Sequence, residues 1–225
     1  MQTIQKKQNT YYSIQELVFG YSQFSLNLEI LLSQQQTISQ KIFKKINNFQ
    51  VLCATLSTCK NLISFKIDLS LCYFGKEEIS SIIEGLKNCQ QLKKISLFIS
   101  QAQHKNQEIV GDQIISAFFK LRNLLNIQDI TLDLSKNNIQ ASGAKDLGYA
   151  LEQLRKLKIL SINLSQNSVQ DKGATLLSIS ISKCKYISFL SLNFLNNKIN
   201  DQNMKKKINQ RAKKMKRVVR IVILI

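Results

Sequence analysis

Two stretches of the chain repeat the same pattern at an offset of 30 residues, without a gap. They are residues 127–147 (IQDITLDLSKNNIQASGAKDL) and residues 157–177 (LKILSINLSQNSVQDKGATLL). The shared frame is apolar-x-x-apolar-x-apolar-x-Leu-Ser-x-Asn-x-apolar-x-x-x-Gly-Ala-x-x-Leu. Agreement over so long a frame indicates a repeat, and each repeat of this length forms one unit that stacks on its neighbours.

Triplets of apolar residues at every second position recur along the chain. This alternation places one set of side chains on a single face, which favours a short, half-buried strand. The first members of successive triplets are separated by 41, 30, 35, 30, 30 and 31 residues. The predicted strands contain Phe24/Leu26/Leu28, Phe65/Ile67/Leu69, Ile95/Leu97/Ile99, Ile130/Leu132/Leu134, Leu160/Ile162/Leu164, Leu190/Leu192/Phe194 and Ile221/Ile223/Ile225.

A second apolar pattern lies between the strands, with steps of four, three and three residues. This spacing favours one buried stripe of a helix. Each unit is therefore predicted to be strand–turn–helix, and stacked units would share a continuous core. The stripes are Ile82/Leu86/Cys89/Leu92, Ala117/Leu121/Leu124/Ile127, Leu147/Leu151/Leu154/Leu157, Leu177/Ile181/Cys184/Ile187 and Ile208/Ala212/Met215/Val218.

The repeats resemble the leucine-rich repeat, and their lengths near 30 residues resemble the ribonuclease-inhibitor type. The resemblance covers roughly residues 24–225. It implies an α/β solenoid of about six repeats plus a terminal strand, with parallel strands on a concave face and helices on the convex face. We expect residues 1–20 to form an N-terminal cap segment and residues 21–225 to form the array, with the last strand, 218–225, uncapped.

A polar position follows each of several strands by three residues. It is occupied by Asn137, Asn167 and Asn197, and by Cys72, the family's usual substitute. The resemblance implies that this asparagine lies inside the turn and that its amide bonds backbone groups of adjacent repeats. Two departures from the frame predict irregular turns: the unit that begins at Ile95 is five residues longer than its neighbours and has Ala102 at this position, and the first spacing is eleven residues longer than 30.

The side chains that alternate with the buried triplets would line the concave face. That face is polar and small-residued, with Phe98 as an aromatic anchor, which favours a protein partner. The alternative is that these polar residues only make an exposed sheet soluble. Besides Ser25 and Asn27, the predicted contact residues are Lys66, Asp68, Ser96, Phe98, Thr131, Asp133, Ser161, Asn163, Ser191 and Asn193.

The segment 204–220 is strongly basic, with nine Lys or Arg and no acidic residue. Its apolar residues keep the helical phase, so the charges are predicted on the outer face of the last helix. They would bind nucleic acid, an anionic surface or the nuclear-import machinery, or would form a solvated face in a Lys-biased chain. The absence of an aromatic residue weakens the single-stranded nucleic-acid alternative. The candidate residues are Lys205, Lys206, Lys207, Arg211, Lys213, Lys214, Lys216 and Arg217.

Catalytic and metal-binding patterns are not found in the sequence. Cys89, Cys184 and Cys59 occupy apolar positions of the repeat, no Cys-x-x-Cys pair occurs, and His104 is the only histidine. There is no glycine-rich phosphate loop and no kinase motif. We therefore predict no catalytic residue, no metal, no cofactor and no enzymatic activity.

The remaining expectations concern location and assembly. The N-terminal residues lack the apolar stretch of a signal peptide, and no apolar run is long enough to span a membrane. A cytoplasmic or nuclear location is expected. The apolar C-terminal strand suggests either a fragment of a longer protein or an edge-to-edge dimer. The leading hypothesis is a protein-binding scaffold. The alternatives are an anion binder acting through the basic helix and the regulatory repeats of a larger signalling protein.

Overall fold

The chain forms one parallel sheet whose strands alternate with helices. A computed structural model describes residues 16–19, 56–57, 59, 62–70, 76–101 and 111–225. Among these residues, seven strands lie in the sheet in the order in which they occur along the chain. Each of the described strands pairs with its sequence neighbours, an arrangement compatible with a solenoid. The strands are β1 (Glu16–Phe19), β2 (Ser64–Asp68), β3 (Lys94–Phe98), β4 (Asp129–Asp133), β5 (Ile159–Asn163), β6 (Phe189–Asn193) and β7 (Arg220–Leu224).

The register of β2 to β7 follows the spacing of the apolar triplets. Ser64 pairs with Lys94, and the same row continues through residues 129, 159, 189 and 220. The offsets are therefore 30, 35, 30, 30 and 31 residues, as the triplets predict, and these six strands are confirmed. The register holds because a slip of one residue would turn every apolar side chain of a strand away from the core.

The first strand differs from the prediction. The strand that pairs with β2 is β1, with Leu17 opposite Phe65, and it lies within the segment 1–20 that was expected to be a cap. The predicted strand at 24–28 and its residues Ser25 and Asn27, which were predicted on the concave face, lie outside the described residues. Leu17 and Phe19 also alternate, so apolar periodicity alone could not choose between the two segments.

Within the described residues, five helices with given bounds lie between β2 and β7. They are α1 (Lys76–Gly85), α2 (Gly111–Ala117), α3 (Ala141–Glu152), α4 (Gln170–Ser182) and α5 (Met204–Lys213). Short 3₁₀ turns extend α1 over Leu86–Asn88 and α2 over Phe118–Asn123. Each helix packs against the next along the chain, so the helices form one layer behind the sheet.

The helices are shorter than the apolar stripes predicted. Helix α3 ends at Glu152, so Leu154 and Leu157 lie beyond it. The N–H of Leu154 donates to the carbonyl of Leu151 at 3.0 Å, and the N–H of Leu157 donates to that of Leu154 at 3.2 Å. Two successive i to i+3 turns thus account for the two three-residue steps, because a 3₁₀ turn advances three residues.

The core runs through the whole stack. The inward strand residues Phe65, Ile130 and Leu160 are fully buried, and the helix residues Leu147 and Leu177 pack into the same cluster. Burial thins at the last repeat, where Met215 and Val218 are only partly buried. The core therefore joins sheet and helices without a break over the described repeats, which is how neighbouring units stabilise one another.

The turns that follow the strands are held by the predicted asparagines. The Nδ2 atom of Asn197 donates to the carbonyls of Leu164 at 2.7 Å and Phe194 at 2.9 Å, which belong to two successive repeats. Its Oδ1 atom accepts the N–H of Val169 at 3.1 Å. Asn137 and Asn167 make corresponding bonds, while Cys72 and the irregular turn at Ala102 lie outside the described residues.

Candidate functional site

The face of the sheet opposite the helices is open, and the register arranges its side chains in three rows across β2 to β7. The strand-start row is Ser64, Lys94, Asp129, Ile159, Phe189 and Arg220. The middle row is Lys66, Ser96, Thr131, Ser161, Ser191 and Val222. The strand-end row is Asp68, Phe98, Asp133, Asn163, Asn193 and Leu224. The ten predicted contact residues are the members of the last two rows that lie on β2 to β6.

Nine of these ten residues are half-buried, so their side chains reach the surface of the open face. Ser96 is the exception and corrects the prediction, since it is only 5% exposed. The side chain of Ser96 is short, and Lys66, Lys94 and Phe98, its neighbours on the open face, all have longer side chains. Ser96 therefore cannot be a principal contact residue.

The strand-end row has a structural role in addition to its exposure. Its carboxylate or amide oxygens each accept the backbone N–H two residues later, which closes a local Asx turn. The backbone N–H of Ser70 donates to Asp68 at 2.9 Å, and that of Ser135 donates to Asp133 at 3.0 Å. The N–H of Ser165 donates to Asn163 at 3.1 Å, and that of Leu195 donates to Asn193 at 3.0 Å. Substitution of these residues would alter a turn as well as the surface.

Phe98 interrupts this series. It lies where the neighbouring strands carry Asp or Asn, and the ammonium of Lys66 lies 5.3 Å from the centroid of its ring. A cation at this distance is attracted to the face of an aromatic ring. Phe98 is therefore held on the open face by a neighbouring side chain, and a partner would contact the Lys66–Phe98 pair as a unit.

The sequence interpretation missed the strand-start row. In this row Ile159 is 38% exposed, and Phe189 beside it is half-buried. Lys94 and Asp129 flank Ile159 on one side with an ion pair of 3.4 Å, and the guanidinium of Arg220 lies 5.7 Å from the Phe189 ring on the other. The available signal was the residue before each triplet, which is apolar in these two consecutive repeats.

The basic segment does not form one helix, which corrects the prediction for 204–220. Helix α5 ends at Lys213, and the chain then turns towards β7. The predicted cations therefore divide into a helix group and a loop group. The helix group is Lys205, Lys206, Lys207, Arg211 and Lys213, and the loop group is Lys214, Lys216 and Arg217.

Two members of the helix group already have partners within the chain. Arg211 donates to the hydroxyl of Ser178 at 3.1 Å. Lys207 pairs with Asp201, and this hydrogen bond, together with the backbone N–H of Asn203, holds the pKa of Asp201 below its usual range. In the loop group, the guanidinium of Arg217 lies 4.8 Å from the centroid of the Tyr186 ring. The structure thus brings an aromatic side chain beside the basic segment.

Two of the three described cysteines lie in the packed interior, and Cys59 is partly buried against it. Cys89 and Cys184 are 4% and 6% exposed, and their thiols face backbone carbonyls of Leu56 and Leu151. Burial raises the pKa of each thiol from 9.0 to about 12. These thiols stay protonated at neutral pH and act as apolar side chains. Cys53, Cys72 and His104 lie outside the described residues.

Within the described ranges, no cluster of three or more His, Cys, Asp or Glu side chains could hold a metal ion. The helices of the same ranges are all too short or too polar to cross a membrane. A scan of protein-family models and a search of curated proteins both find no match to the chain.

Proposed function

We propose that this chain is a leucine-rich-repeat solenoid of the ribonuclease-inhibitor type, and that it binds a protein partner on the open sheet face without catalysing a reaction. The observation that carries the proposal is the pairing of exposed apolar groups with charges on this face. Ile159 and Phe189 lie side by side between the Lys94–Asp129 ion pair and Arg220. An apolar centre within a charged rim is the usual composition of a protein–protein interface.

The dimensions of the open face support a folded partner or a helix. Six strands at a spacing of about 4.8 Å span about 24 Å, which is wider than the 10–12 Å of a helix with its side chains. Phe98 lies on β3, two strands from Ile159 on β5 and three strands from Phe189 on β6. Two apolar anchors at this separation would fix both the position and the orientation of a partner.

The chemistry of the open face supports binding over catalysis. Over β2 to β7 its three rows contain neither His nor Cys, and the carboxylates of Asp68 and Asp133 accept hydrogen bonds from their own turns. A catalytic site requires a nucleophile or a base held within reach of a substrate. The rows do contain serines and lysines, but over β2 to β7 they contain no histidine that could act as the base for a serine.

The second interpretation, anion binding through the outer face of the last helix, has less support. Of the five cations in the helix group, Lys207 pairs with Asp201 and Arg211 is bonded to Ser178. The helix is also shorter than predicted, so it presents three remaining cations rather than a continuous basic face. The open face is therefore the stronger candidate for the principal binding surface.

The test begins by isolating a partner from a lysate and continues with calorimetry on the two purified proteins. We expect Phe98→Ala and Ile159→Ser each to weaken binding by about tenfold or more, because each removes an apolar anchor. The matched control is Tyr149→Ala on α3. Tyr149 is 46% exposed and has the ammonium of Lys145 5.9 Å from its ring, but it lies on the helical side.

The proposal predicts unchanged affinity for the Tyr149→Ala protein. Equal reductions in affinity for all three variants would show that the partner does not distinguish the open face from the helical side, and the proposal would then be wrong. Thermal denaturation of each variant separates a weakened interface from an unfolded protein. Asp133→Lys is not a suitable variant, because Asp133 also accepts the N–H of Ser135.

A further inference from the structure

The segments that leave each helix and enter the next strand, here called exit loops, lie side by side along one edge of the stack. In the C-terminal half they are residues 154–158, 184–188 and 215–219. The carbonyl of Lys158 accepts the N–H groups of Ser188 and Phe189 at 2.8 and 3.2 Å. The carbonyl of Ser188 accepts those of Val219 and Arg220 at the same distances. This backbone ladder fixes equivalent side chains of successive loops in columns.

The chemistry of these columns changes at one point along the stack. At the two outermost positions, the loops before β3 and β4 carry uncharged residues, and five of the six corresponding residues in the loops before β5, β6 and β7 are cationic. The uncharged residues are Gln90, Gln91, Leu125 and Asn126, and their counterparts are Arg155, Lys156, Lys185, Tyr186, Lys216 and Arg217. The cations of these positions therefore gather in the three successive loops before β5, β6 and β7.

The cationic loops enclose a groove of about 910 Å³. Its basic lining residues are Arg155, Lys156, Lys158, Lys183, Lys185 and Arg217, and its acidic lining residue is Glu152. Lys183 pairs with Glu152 at 3.1 Å, whereas the other five cations have no carboxylate partner within the described part of the chain. Five cations around one groove create a positive potential that favours an anionic ligand.

Tyr186 gives the groove a feature that phosphate binding alone does not need. Its side chain is 43% exposed at the groove wall, and the guanidinium of Arg217 lies 4.8 Å from its ring centroid. Unpaired bases stack on aromatic rings and on arginine planes, while the backbone phosphates follow neighbouring cations. A lipid headgroup or an acidic peptide would use the cations but has no flat base to place on this pair. A duplex keeps its bases stacked inside.

We infer that the exit-loop groove binds single-stranded nucleic acid, with phosphates on its lysine and arginine side chains and a base against the Tyr186–Arg217 pair. The site lies at the edge of the stack, and its residues are distinct from the three rows of the open face.

The experiment uses the full chain and a fluorescent single strand of about 12 nucleotides, oligo(dT) or oligo(U), in an anisotropy titration. We expect Tyr186→Ala to weaken binding by about tenfold and Tyr186→Phe to retain it, because phenylalanine keeps the stacking surface. In titrations from about 50 to 200 mM salt, Arg155→Gln/Lys158→Gln should lower the log–log salt slope by about 1.4, which is 0.7 for each phosphate that is no longer neutralised.

The matched control is Lys205→Gln/Lys206→Gln, which removes the same charge from exposed positions of α5 outside the groove. We expect it to leave the slope nearly unchanged. Equal effects of the two double variants would show that diffuse charge attracts the strand and would overturn the inference. So would the absence of binding at low salt, or an unchanged affinity of the Tyr186→Ala protein. Phosphatidylcholine vesicles with phosphatidylinositol bisphosphate provide the competing ligand, and binding to them without binding to the oligonucleotide would also overturn it.

Discussion

Single polar side chains inside the strand-end turns satisfy backbone groups that neither the sheet nor the helices can pair. Asn167 donates from Nδ2 to the carbonyls of Leu134 and Leu164 at 3.0 and 2.8 Å. Its Oδ1 atom accepts the N–H groups of Asn137 and Ile139, both at 2.9 Å. Because Asn167 is only 6% exposed, water cannot take over these bonds, and one amide connects two repeats.

The first prediction is that Asn167→Ala lowers the free energy of unfolding by about 2–5 kcal/mol, because it leaves several buried backbone groups without partners. Urea denaturation of the two proteins measures the difference. Asn126→Ala provides the control, since the bonds of Asn126 to Gln90 and Lys156 also connect repeats but are exposed. That variant should lose about 1 kcal/mol or less. A similar loss in both variants would contradict the structural role assigned to Asn167.

The second prediction concerns the buried thiols and pH. Cys89 and Cys184 have pKa values raised by burial to about 12 in the folded chain, against 9.0 when exposed. Between these values the unfolded chain releases a proton that the folded chain retains. Their contribution to stability is therefore complete below pH 9 and is lost as the pH rises towards 12, by about 1.4 kcal/mol per pH unit for each thiol.

Urea denaturation at several pH values from 8 to 11 tests this sign. The free energy of unfolding should fall less steeply with pH in Cys89→Ala/Cys184→Ala, because this variant lacks both thiols. Its stability at pH 8 should be lower than that of the unmodified protein because of the cavities left behind. Parallel pH profiles for the two proteins would show that other groups, such as lysines, cause the alkaline loss.

At the scale of elements, the exit loops set the spacing between repeats as firmly as the strands do. One carbonyl in each loop accepts the last N–H of the next loop and the first N–H of the strand that follows it, and these carbonyls belong to Ile63, Lys93, Gln128, Lys158 and Ser188. Two successive i to i+3 turns before Lys93, Gln128 and Lys158 bring the chain from the helix layer back to the sheet. Helix, loop and strand therefore repeat as one rigid unit, even where the helix length varies from 7 to 13 residues.

The third prediction concerns the contact between α3 and α4. A Cβ atom added at Gly173 would lie 2.8 Å from the Cα of Ala141 and 2.8 Å from a methyl of Val169. Backbone cannot move aside as a flexible side chain can, so Gly173→Ala should destabilise the protein by about 1–3 kcal/mol. Lys172→Ala on the same turn is exposed and should change stability by about 0.5 kcal/mol or less. Thermal denaturation compares them, and equal stability of the two variants would contradict the close approach.

Sequence patterns predicted some elements better than others, for physical reasons. The six strands β2 to β7 followed from the two-residue alternation of triplets such as Leu160/Ile162/Leu164, because each strand buries one face only. The ends of the helices did not follow, because steps of three residues suit both a helix and successive 3₁₀ turns. The same ambiguity led to the prediction of a single helix over 204–220. That prediction gave no indication that Arg217 contacts Tyr186.

At the scale of the whole molecule, cations lie where their mutual repulsion would lower the stability of the fold. The chain carries 32 Lys or Arg and 14 Asp or Glu, a net charge of +18. The cations around the groove repel each other in the folded chain and move apart when the chain unfolds. The alternative is that these cations stabilise the nearby helix C-termini, where the helix dipole favours positive charge. The two explanations predict changes of opposite sign in the free energy of unfolding when the same cations are replaced.

The fourth prediction is that Arg155→Gln/Lys158→Gln/Lys185→Gln raises the free energy of unfolding at low salt by about 0.5–1 kcal/mol, because it relieves repulsion at the groove. The gain should shrink between about 0.01 and 0.1 M salt, as the Debye length falls from about 30 to about 10 Å. A loss of stability in the groove variant would mean that helix dipoles account for its cations. A gain would mean that the fold keeps them at a cost to its own stability, as expected of residues that bind an anionic ligand.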